Sequence, residues 1–596
     1  LFRKILIANR GEIAVRIIRT AREMGIKTVA VYSEIDRDGM HTRMADEAYL
    51  LGPAAPSQSY LNVEKLLHVA RESGAEGIHP GYGFLAENAG FAREVIAAGL
   101  VWIGPHPDAI DAMGDKVRAR KAMVHAGVPV VPGGTEAINN AEEARAAAER
   151  YGLPLALKAS GGGGGKGLKV ARTFEELPSA LATAQREAEA YFKNGTIYAE
   201  RYLENPKHVE LQILADKHGT VLHVGERDCS LQRRHQKLWE ETPASISGKV
   251  RAAMREAGIR AAKAIGYDSV GTIECLVSGN EFYFLEMNTR IQVEHTVSEM
   301  ISGLDLIREQ IRVAAGEPLG YGQDEIVFRG HAIEGRVNAE DPAHNFRPAP
   351  GTVTEYREPA GLGVRIDSAA YPGFTITPDY DSMIAKLVVW APTRARAIAR
   401  LRRAIDEYEI GGVPTTLSLL RSLCDNPSVI DATYGTATLE AFAAELYAGN
   451  GAVHHGNVRH GEPVEPGASA VEAATASTET IRVEVNDKLY RVRLIDVPST
   501  APHSGSLRTS PSKPRIAQKK RAVAPTGNEI PSPMHGVVVE LSVSDGDSVE
   551  QGQVVAVIEA MKMMNEIRAH KGGKVEKVHV KTGETVEAGS ALVTIT

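Results

Sequence analysis

Apolar and polar positions along this chain follow a period that changes from block to block. Lys4-Ile-Leu-Ile-Ala8 is a short apolar run that reads as a buried strand, and Asn9-Arg-Gly-Glu12 after it reads as a turn. Ile13 to Met24 has apolar residues at helical spacing, and Thr28 to Tyr32 is strand-like again. The alternation of strands and helices continues to about residue 113 and predicts a parallel sheet with helices on its faces. Gly77-Ile-His-Pro-Gly-Tyr-Gly-Phe-Leu-Ala-Glu-Asn88 follows a short strand and is rich in residues that permit tight backbone. Strand ends in such sheets often face ligands, and a plain structural loop fits equally well. Further on, Leu155–Ala159 and Leu168–Ala171 are strand-like, as is Gly330-His-Ala-Ile-Glu-Gly-Arg336, and an Arg-rich helix is expected around 393 to 408.

The pattern dissolves at about residue 446, where Gly, Ala, Ser, Thr and Pro take over. Thr480 to Asp496 alternates strongly around Asn486-Asp487, which predicts an isolated hairpin. A lone hairpin is marginal in water, so it is expected to pack on something and is a candidate for docking a partner. Residues 498 to 529 are Pro/Ser-rich with a basic knot at Lys513 to Arg521, and read as linker. If all of 446–529 were flexible, its root-mean-square span would be about 50 Å.

The last block contains a repeat. Val543 to Ile558 and Val580 to Ile595 each read as strand, Gly turn, strand, Gly turn, strand. Between the copies lies Glu559-Ala-Met-Lys-Met-Met564, with Lys562 on the expected connecting turn. Such a unit is all-β and presents one lysine.

With 596 residues the chain needs several domains. Its 43% hydrophobic and 24% charged content are ordinary for a soluble globular protein. A formal net charge of −7 gives no basic field for nucleic acid. Cys229, Cys275 and Cys424 are too few and too scattered for a disulfide framework or a metal motif, so a reducing, cytoplasmic setting is expected. No apolar run is long enough to span a bilayer, so no membrane partner is expected. The first residues run into a strand pattern without a signal-peptide layout, and the missing initial Met leaves room for a removed leader. No GxGxxG occurs in the first 113 residues, so a dinucleotide site on that sheet is unsupported.

The candidate chemistry lies in the middle of the chain. Ser160 is followed by five glycines, Lys166 and Gly167, all between two strands. The run is either a floppy linker or a lid whose N–H groups approach phosphates, and its place inside a folded segment favours the lid. Arg233-Arg-His-Gln-Lys237 is a dense basic cluster that reads as a solvated face or an anion site. Gly271-Thr-Ile-Glu-Cys-Leu-Val277 and Glu281-Phe-Tyr-Phe-Leu-Glu-Met-Asn288 read as a hairpin around Ser278-Gly-Asn280. Glu274 and Glu286 are equidistant from Asn280 and should face each other, with Asn288 on the same strand face. Two carboxylates and an amide oxygen suit Mg2+ or Mn2+. Arg290 and Glu294 are one turn apart if their segment coils, or spread along a loop.

Ala560-Met-Lys-Met563 in a repeated β unit resembles the biotinyl domain of biotin-dependent carboxylases, with biotin attached at Lys562. Ile7-Ala-Asn-Arg-Gly-Glu-Ile13 and His79-Pro-Gly-Tyr-Gly-Phe84 resemble the N-terminal domain of biotin carboxylase, an ATP-grasp ligase, and the similarity runs to about residue 445. The whole resembles the α subunit of bacterial acyl-CoA carboxylases. The fold this implies is a multidomain α/β and α+β chain. An N-terminal domain would cover 1–113, an ATP-grasp domain 114–330 and a carboxylase C-terminal domain 331–445. A linker would follow over 446–529, and an all-β, lipoyl-like carrier over 530–596.

The resemblance also implies roles. Lys116, Lys158, Gly164, Gly165 and Lys166 would meet ATP phosphates, and Glu200, Arg201, Tyr202 and Leu203 would hold the adenine. His208, Gln232, His235 and Glu274 would complete the nucleotide pocket. Glu274, Glu286 and Asn288 would bind the metal. Lys237, Arg290, Gln292, Val293 and Glu294 would form the bicarbonate pocket, with Glu294 as base, and Arg336 would meet biotin's ureido oxygen. Most of the family has Pro after the equivalent of His295; here Thr296 stands there. The implied reaction is ATP- and bicarbonate-dependent carboxylation of biotin, loaded by a biotin protein ligase and unloaded by a separate carboxyltransferase β subunit in a hetero-oligomer. A split pyruvate carboxylase subunit is the enzyme alternative, and a carrier or scaffold with an inactive ATP-grasp unit is the non-enzyme one.

Overall fold

The structure is a computed structural model. It describes residues 1–134, 136–159, 168–192, 196–234, 236–448, 480–485, 488–493, 528–533, 536–560, 563–586 and 589–596. Two compact units make up the chain, the first holding residues 1–375 and 383–450 and the second the C-terminal part.

The first unit opens as the apolar pattern predicts. Strand β1 (Lys4–Ile7) leads into helix α1 (Gly11–Glu23) and then β2 (Lys27–Ser33), β3 (Glu47–Gly52), β4 (Gly77–His79) and β5 (Val101–Trp102). These strands pair in parallel in the order β3-β2-β1-β4-β5. The direction of winding reverses between β1 and β4, and sheets of this kind commonly bind ligands beyond the carboxyl ends at such a point. Asn9 ties those ends together, donating from Nδ2 to the carbonyls of Pro80 and Tyr82 at 2.7 Å each.

A small antiparallel sheet follows, with β6 (Leu155–Ala159) between β7 (Leu168–Ala171) and β8 (Ile197–Arg201). The main sheet is antiparallel and larger. It contains β9 (Lys207–Ala215), β10 (Val221–Arg233), β11 (Gln236–Thr242), β12 (Val270–Ser278), β13 (Glu281–Asn288) and β14 (His331–Asn338). Their order is β13-β12-β9-β10-β11-β14, continued by strands Met383–Ala391 and Val364–Ser368.

Alternation along β9 and β12 separates core from site. Val209, Leu211 and Ile213 with Ile273, Cys275 and Val277 pack under the helix Gly248–Ala264, against Val250, Met254, Ala257 and Ala261. The helix lies so close that a Cβ on Gly258 would come within 2.2 Å of Leu211. The opposite parity puts His208, Glu210, Gln212, Thr272 and Glu274 on the other face, all buried.

The β12–β13 hairpin differs from expectation in its turn. Ser278 pairs with Glu281, so only Gly279 and Asn280 form the turn, with Gly279 at φ +59°. An unbroken ladder from that turn would set Leu285 against Glu274. A bulge between Glu274 and Cys275 takes up one residue, and Glu274 faces Glu286 after all.

In the second unit, Thr480–Val485 and Lys488–Arg493 pair antiparallel as the predicted hairpin, while Asn486 and Asp487 lie outside the described residues. The carrier has two four-stranded sheets. One holds Glu529–Pro531, Ala591–Ile595, Gly573–Val578 and Ser548–Val549, and the other Met563–Arg568, Val554–Ala560, Gly536–Leu541 and Thr585–Val586. The halves match residue for residue. The pair Ala556↔Ile567 has its counterpart in Val593↔Ile530, and Gly536↔Val586 in Gly573↔Val549. Both glycines are needed, because a Cβ would meet the carbonyl oxygen of Glu559 at 2.5 Å in one half and of Thr596 at 2.3 Å in the other. The core fills in matched pairs too: Val538 with Val575, Val555 with Leu592, Ile558 with Ile595. Val554–Ala560 and Met563–Arg568 pair up to Ala560↔Met563, with Met561 and Lys562 between them in sequence and outside the described residues.

Candidate active site

The polar face of the main sheet collects acids and bases around Lys237. That residue comes from the sequence's basic cluster, which the fold disperses. Arg233 turns away, its guanidinium 2.6 Å from Asn345 Oδ1 and over the Phe346 ring. Arg234 takes a positive φ in the turn, and His235 lies outside the described residues. Lys237 Nζ reaches Glu210 at 2.7 Å, Glu274 at 3.0 Å and Glu294 at 2.7 Å. Burial disfavours its charge, but three carboxylates outweigh that and hold its pKa well above the usual lysine value.

Glu274 is the most heavily bonded of the acids. Its Oε1 accepts from Lys237, from Asn288 Nδ2 at 2.8 Å and from Gln292 Nε2 at 2.7 Å, and its Oε2 lies 2.9 Å from His208 Nε2. Burial would raise its pKa, yet Lys237 and His208 keep the carboxyl well below its usual range. It therefore stays ionised opposite Glu286, with Asn288 next on the same strand. That donor set fits a hard divalent cation. His208, Glu210 and Glu274 also bring donor atoms within 4.8 Å of one another, but their carboxylates are already engaged by Lys237 and, at Glu210, by Arg227.

Residues 289–294 form a loop, not a helical turn, before the helix His295–Ser302. Glu294 stands at the start of that helix and bridges two cations: Oε1 faces Lys237, and Oε2 faces Arg336 at 2.9 Å. Burial raises its pKa less than Lys237, Arg336 and Arg227 lower it, so it is a carboxylate. Arg336 also binds Glu240, Nε to Oε1, at 2.6 Å. Arg290 donates to Asn288 Oδ1 at 2.7 Å and to Glu87 at 2.9 Å. Glu87 also accepts from the Thr289 N–H, so the loop after β4 reaches the site.

The nucleotide-pocket candidates separate into two groups. His208 and Gln232 touch, with Nε2 of Gln232 3.3 Å from Nδ1 of the histidine. Lys158 pairs with Glu200 across the β6–β8 ladder. The Arg201 and Tyr202 N–H groups bond to the carbonyls of Pro132 and Pro154, and Leu203 packs with Val131 and Tyr283. The Lys116 side chain, Gly164, Gly165 and Lys166 lie outside the described residues.

Four family models match in chain order. They are the biotin carboxylase N-terminal domain over residues 1–110, the ATP-binding domain of the carbamoyl-phosphate synthase L chain over 115–321, the biotin carboxylase C-terminal domain over 334–441, and the biotin-requiring enzyme domain over 528–595. The biotin-dependent acyl-coenzyme A carboxylase alpha3 subunit of Mycobacterium leprae is 43% identical over 99% of this chain and 98% of its own length. The chain belongs to the biotin carboxylase family. A pyruvate carboxylase subunit of Methanothermobacter thermautotrophicus is 51% identical over 72% of this chain and 87% of its own. The biotin carboxylase–β-γ-ATP complex from Campylobacter jejuni superposes with a TM-score of 0.69 at 47% identity, covering 74% of this chain and 99% of the other. This biotin carboxylase is thus an ATP-dependent ligase fused to a biotinyl carrier domain. No helix among its described residues is long and apolar enough to cross a membrane.

Several residues of the biotin carboxylase site escape a reading of the sequence. Arg227, fully buried, donates to Glu210, to Gln212 and Ser298 at 2.6 and 2.9 Å, and to Thr272 and Gln292 at 3.1 and 2.9 Å. It holds Gln292 from behind. Glu210 and Gln212 were missed as well, although the alternation of His208-Val-Glu-Leu-Gln-Ile213 is a signal that could have found them. Glu87 lies in the stretch 77–88 without being marked out within it, and Glu240 carries no comparable signal.

Proposed function

We propose that this chain is the α subunit of an acyl-CoA carboxylase, carboxylating the biotin on its own Lys562 and passing the carboxyl group to a separate carboxyltransferase β subunit. The full-length match to the mycobacterial acyl-CoA carboxylase subunit, through both the carboxylase and the carrier, supports this reading. The match to the Methanothermobacter pyruvate carboxylase protein supports a second reading, with pyruvate as the partner's acceptor. We place the domain limits near residues 113, 330, 445 and 529, and the working site in the cytoplasm.

Glu274, Glu286 and Asn288 would hold Mg2+ or Mn2+, which would neutralise charge on the ATP phosphates. Lys116, Lys158 and the loop of Gly164, Gly165 and Lys166 bind those phosphates, and Glu200 to Leu203, His208, Gln232 and His235 enclose the nucleoside. Lys237 and Arg290 hold bicarbonate in line with the γ-phosphate, beside Gln292 and Val293. Glu294 then takes the bicarbonate proton. Paired with Lys237 it is a weak base, but an incoming anion becomes the lysine's partner and frees that carboxylate oxygen. The other oxygen still faces Arg336, whose guanidinium receives the biotin ureido oxygen.

Co-purification with a carboxyltransferase partner, followed by assay of acetyl-, propionyl- and longer acyl-CoA against pyruvate, tests the choice. Carboxylation of pyruvate alone would reverse it. Co-expression with a biotin protein ligase should add one biotin to the Lys562 peptide, read by mass. Glu274→Gln should abolish metal-dependent ATP cleavage and leave that adduct intact.

A further inference from the structure

Glu240 and Glu334 face each other across the β11–β14 ladder, and both are 0% exposed. Like charges directly opposite in a sheet repel, and burial magnifies the repulsion. The cations nearby do not balance them. Arg336 binds Glu240 Oε1 but also serves Glu294. Lys237 is committed to Glu210, Glu274 and Glu294. Lys386, from the next strand, lies 3.1 Å from Glu12 and donates to the Val293 carbonyl at 3.2 Å. The helix packed above offers Thr296, whose hydroxyl donates to Glu334 Oε2. One oxygen of each acid, Glu240 Oε2 and Glu334 Oε1, is buried without a hydrogen-bond partner among the described residues.

We propose that Glu240 and Glu334 share one proton, and that this single-charged pair, anchored by Thr296, is the positioning element for Arg336. A proton between the two acids gives both orphaned oxygens a partner and leaves one negative charge for the guanidinium. The electrostatics agree. Burial raises Glu240 to about 7 although Arg336 opposes it, and burial with Glu240's charge raises Glu334 well above the carboxylate range. Thr296 has the donor that a proline in its place would lack, and it holds the pair from the helix side. The positioning role rests on the assignment of Arg336 to the biotin face; the shared proton does not.

The test is infrared spectroscopy of the biotinylated full chain titrated from pH 6 to pH 9. Ordinary carboxyls are already ionised there, so a protonated-acid C=O band that fades across this range reports the pair. It should be present in the wild type and absent in both Glu240→Gln and Glu334→Gln, whose amides replace the proton. Thr296→Val removes a donor to the ionised form, so its band should persist to higher pH. No band in the wild type, or one that survives in Glu334→Gln, overturns the shared proton. Carboxylation of free biotin by Glu334→Gln should lose its near-neutral pH inflection, and KM for biotin should rise several-fold in Glu240→Gln. An unchanged profile and KM would overturn the positioning role. A wild type that carboxylates no biotin would sink the proposed function and leave the infrared result standing.

Discussion

Glu240 and Glu241 are neighbours on one strand, equally buried, and behave in opposite ways. Glu241 points away from the site into a surplus of donors. Arg394 binds both its oxygens at 2.9 Å, His331 reaches it at 2.9 Å, and the Tyr434 hydroxyl donates to it. Burial alone would raise it, but the bonds from His331 and Arg394 hold it down to about 2. Glu240 has one arginine, shared with Glu294, and faces another acid; it rises to about 7. Burial is common to both, so the local balance of charge decides. One face of the strand is fully compensated, and the other carries more acid than its cations balance.

The largest effect that would break this contrast falls on the reacting face. Glu294→Gln should lower carboxylation of free biotin by roughly 10²–10⁴-fold, the usual range for removing a positioned base, with unfolding little changed. Next comes the other face. Glu241→Gln breaks a buried ion pair and should cost about 3–5 kcal/mol in denaturant unfolding, while the folded fraction keeps its turnover. Equal losses of activity and stability in both variants would erase the distinction.

The smallest effect concerns pH. Glu241 is depressed, so its stabilisation is present above its ordinary value of 4.5 and is lost as pH falls toward about 2. Glu240 is raised, so the folded state binds the extra proton and loses stability as pH climbs from 4.5 to about 7. Glu334→Gln should therefore stabilise the protein by about 1–3 kcal/mol at pH 8 and by little at pH 5. Thermal unfolding at the two pH values checks the sign.

What could be read in the sequence follows the same division. The carrier's symmetry was visible because Val543–Ile558 and Val580–Ile595 repeat their glycines and their apolar period. The facing of Glu274 and Glu286 was visible as well, through a turn assumed one residue too long; the bulge supplied the residue that the turn did not. Arg227, Glu240 and Glu334 were not visible. A charged residue in a strand looks the same whether it faces water or a partner acid, and only the pairing of distant strands reveals which. The basic cluster misled in the reverse sense, since Arg233 and Lys237 look alike in sequence and end in different surroundings.

The extra residue at Leu285 has a wider meaning. It lets the β12–β13 hairpin run in two phases, one set by its turn and one by its carboxylates. The part near the turn pairs Phe282 and Phe284 with Val277 and Cys275 to close the core; the part beyond obeys the site. An unbroken ladder that kept Leu285 would retain every residue type of the motif yet set Leu285 against Glu274 and turn Glu286 and Asn288 to the other side of the sheet. The motif is therefore a matter of count as well as composition: a chain can spell its ligands correctly and still present them to nothing.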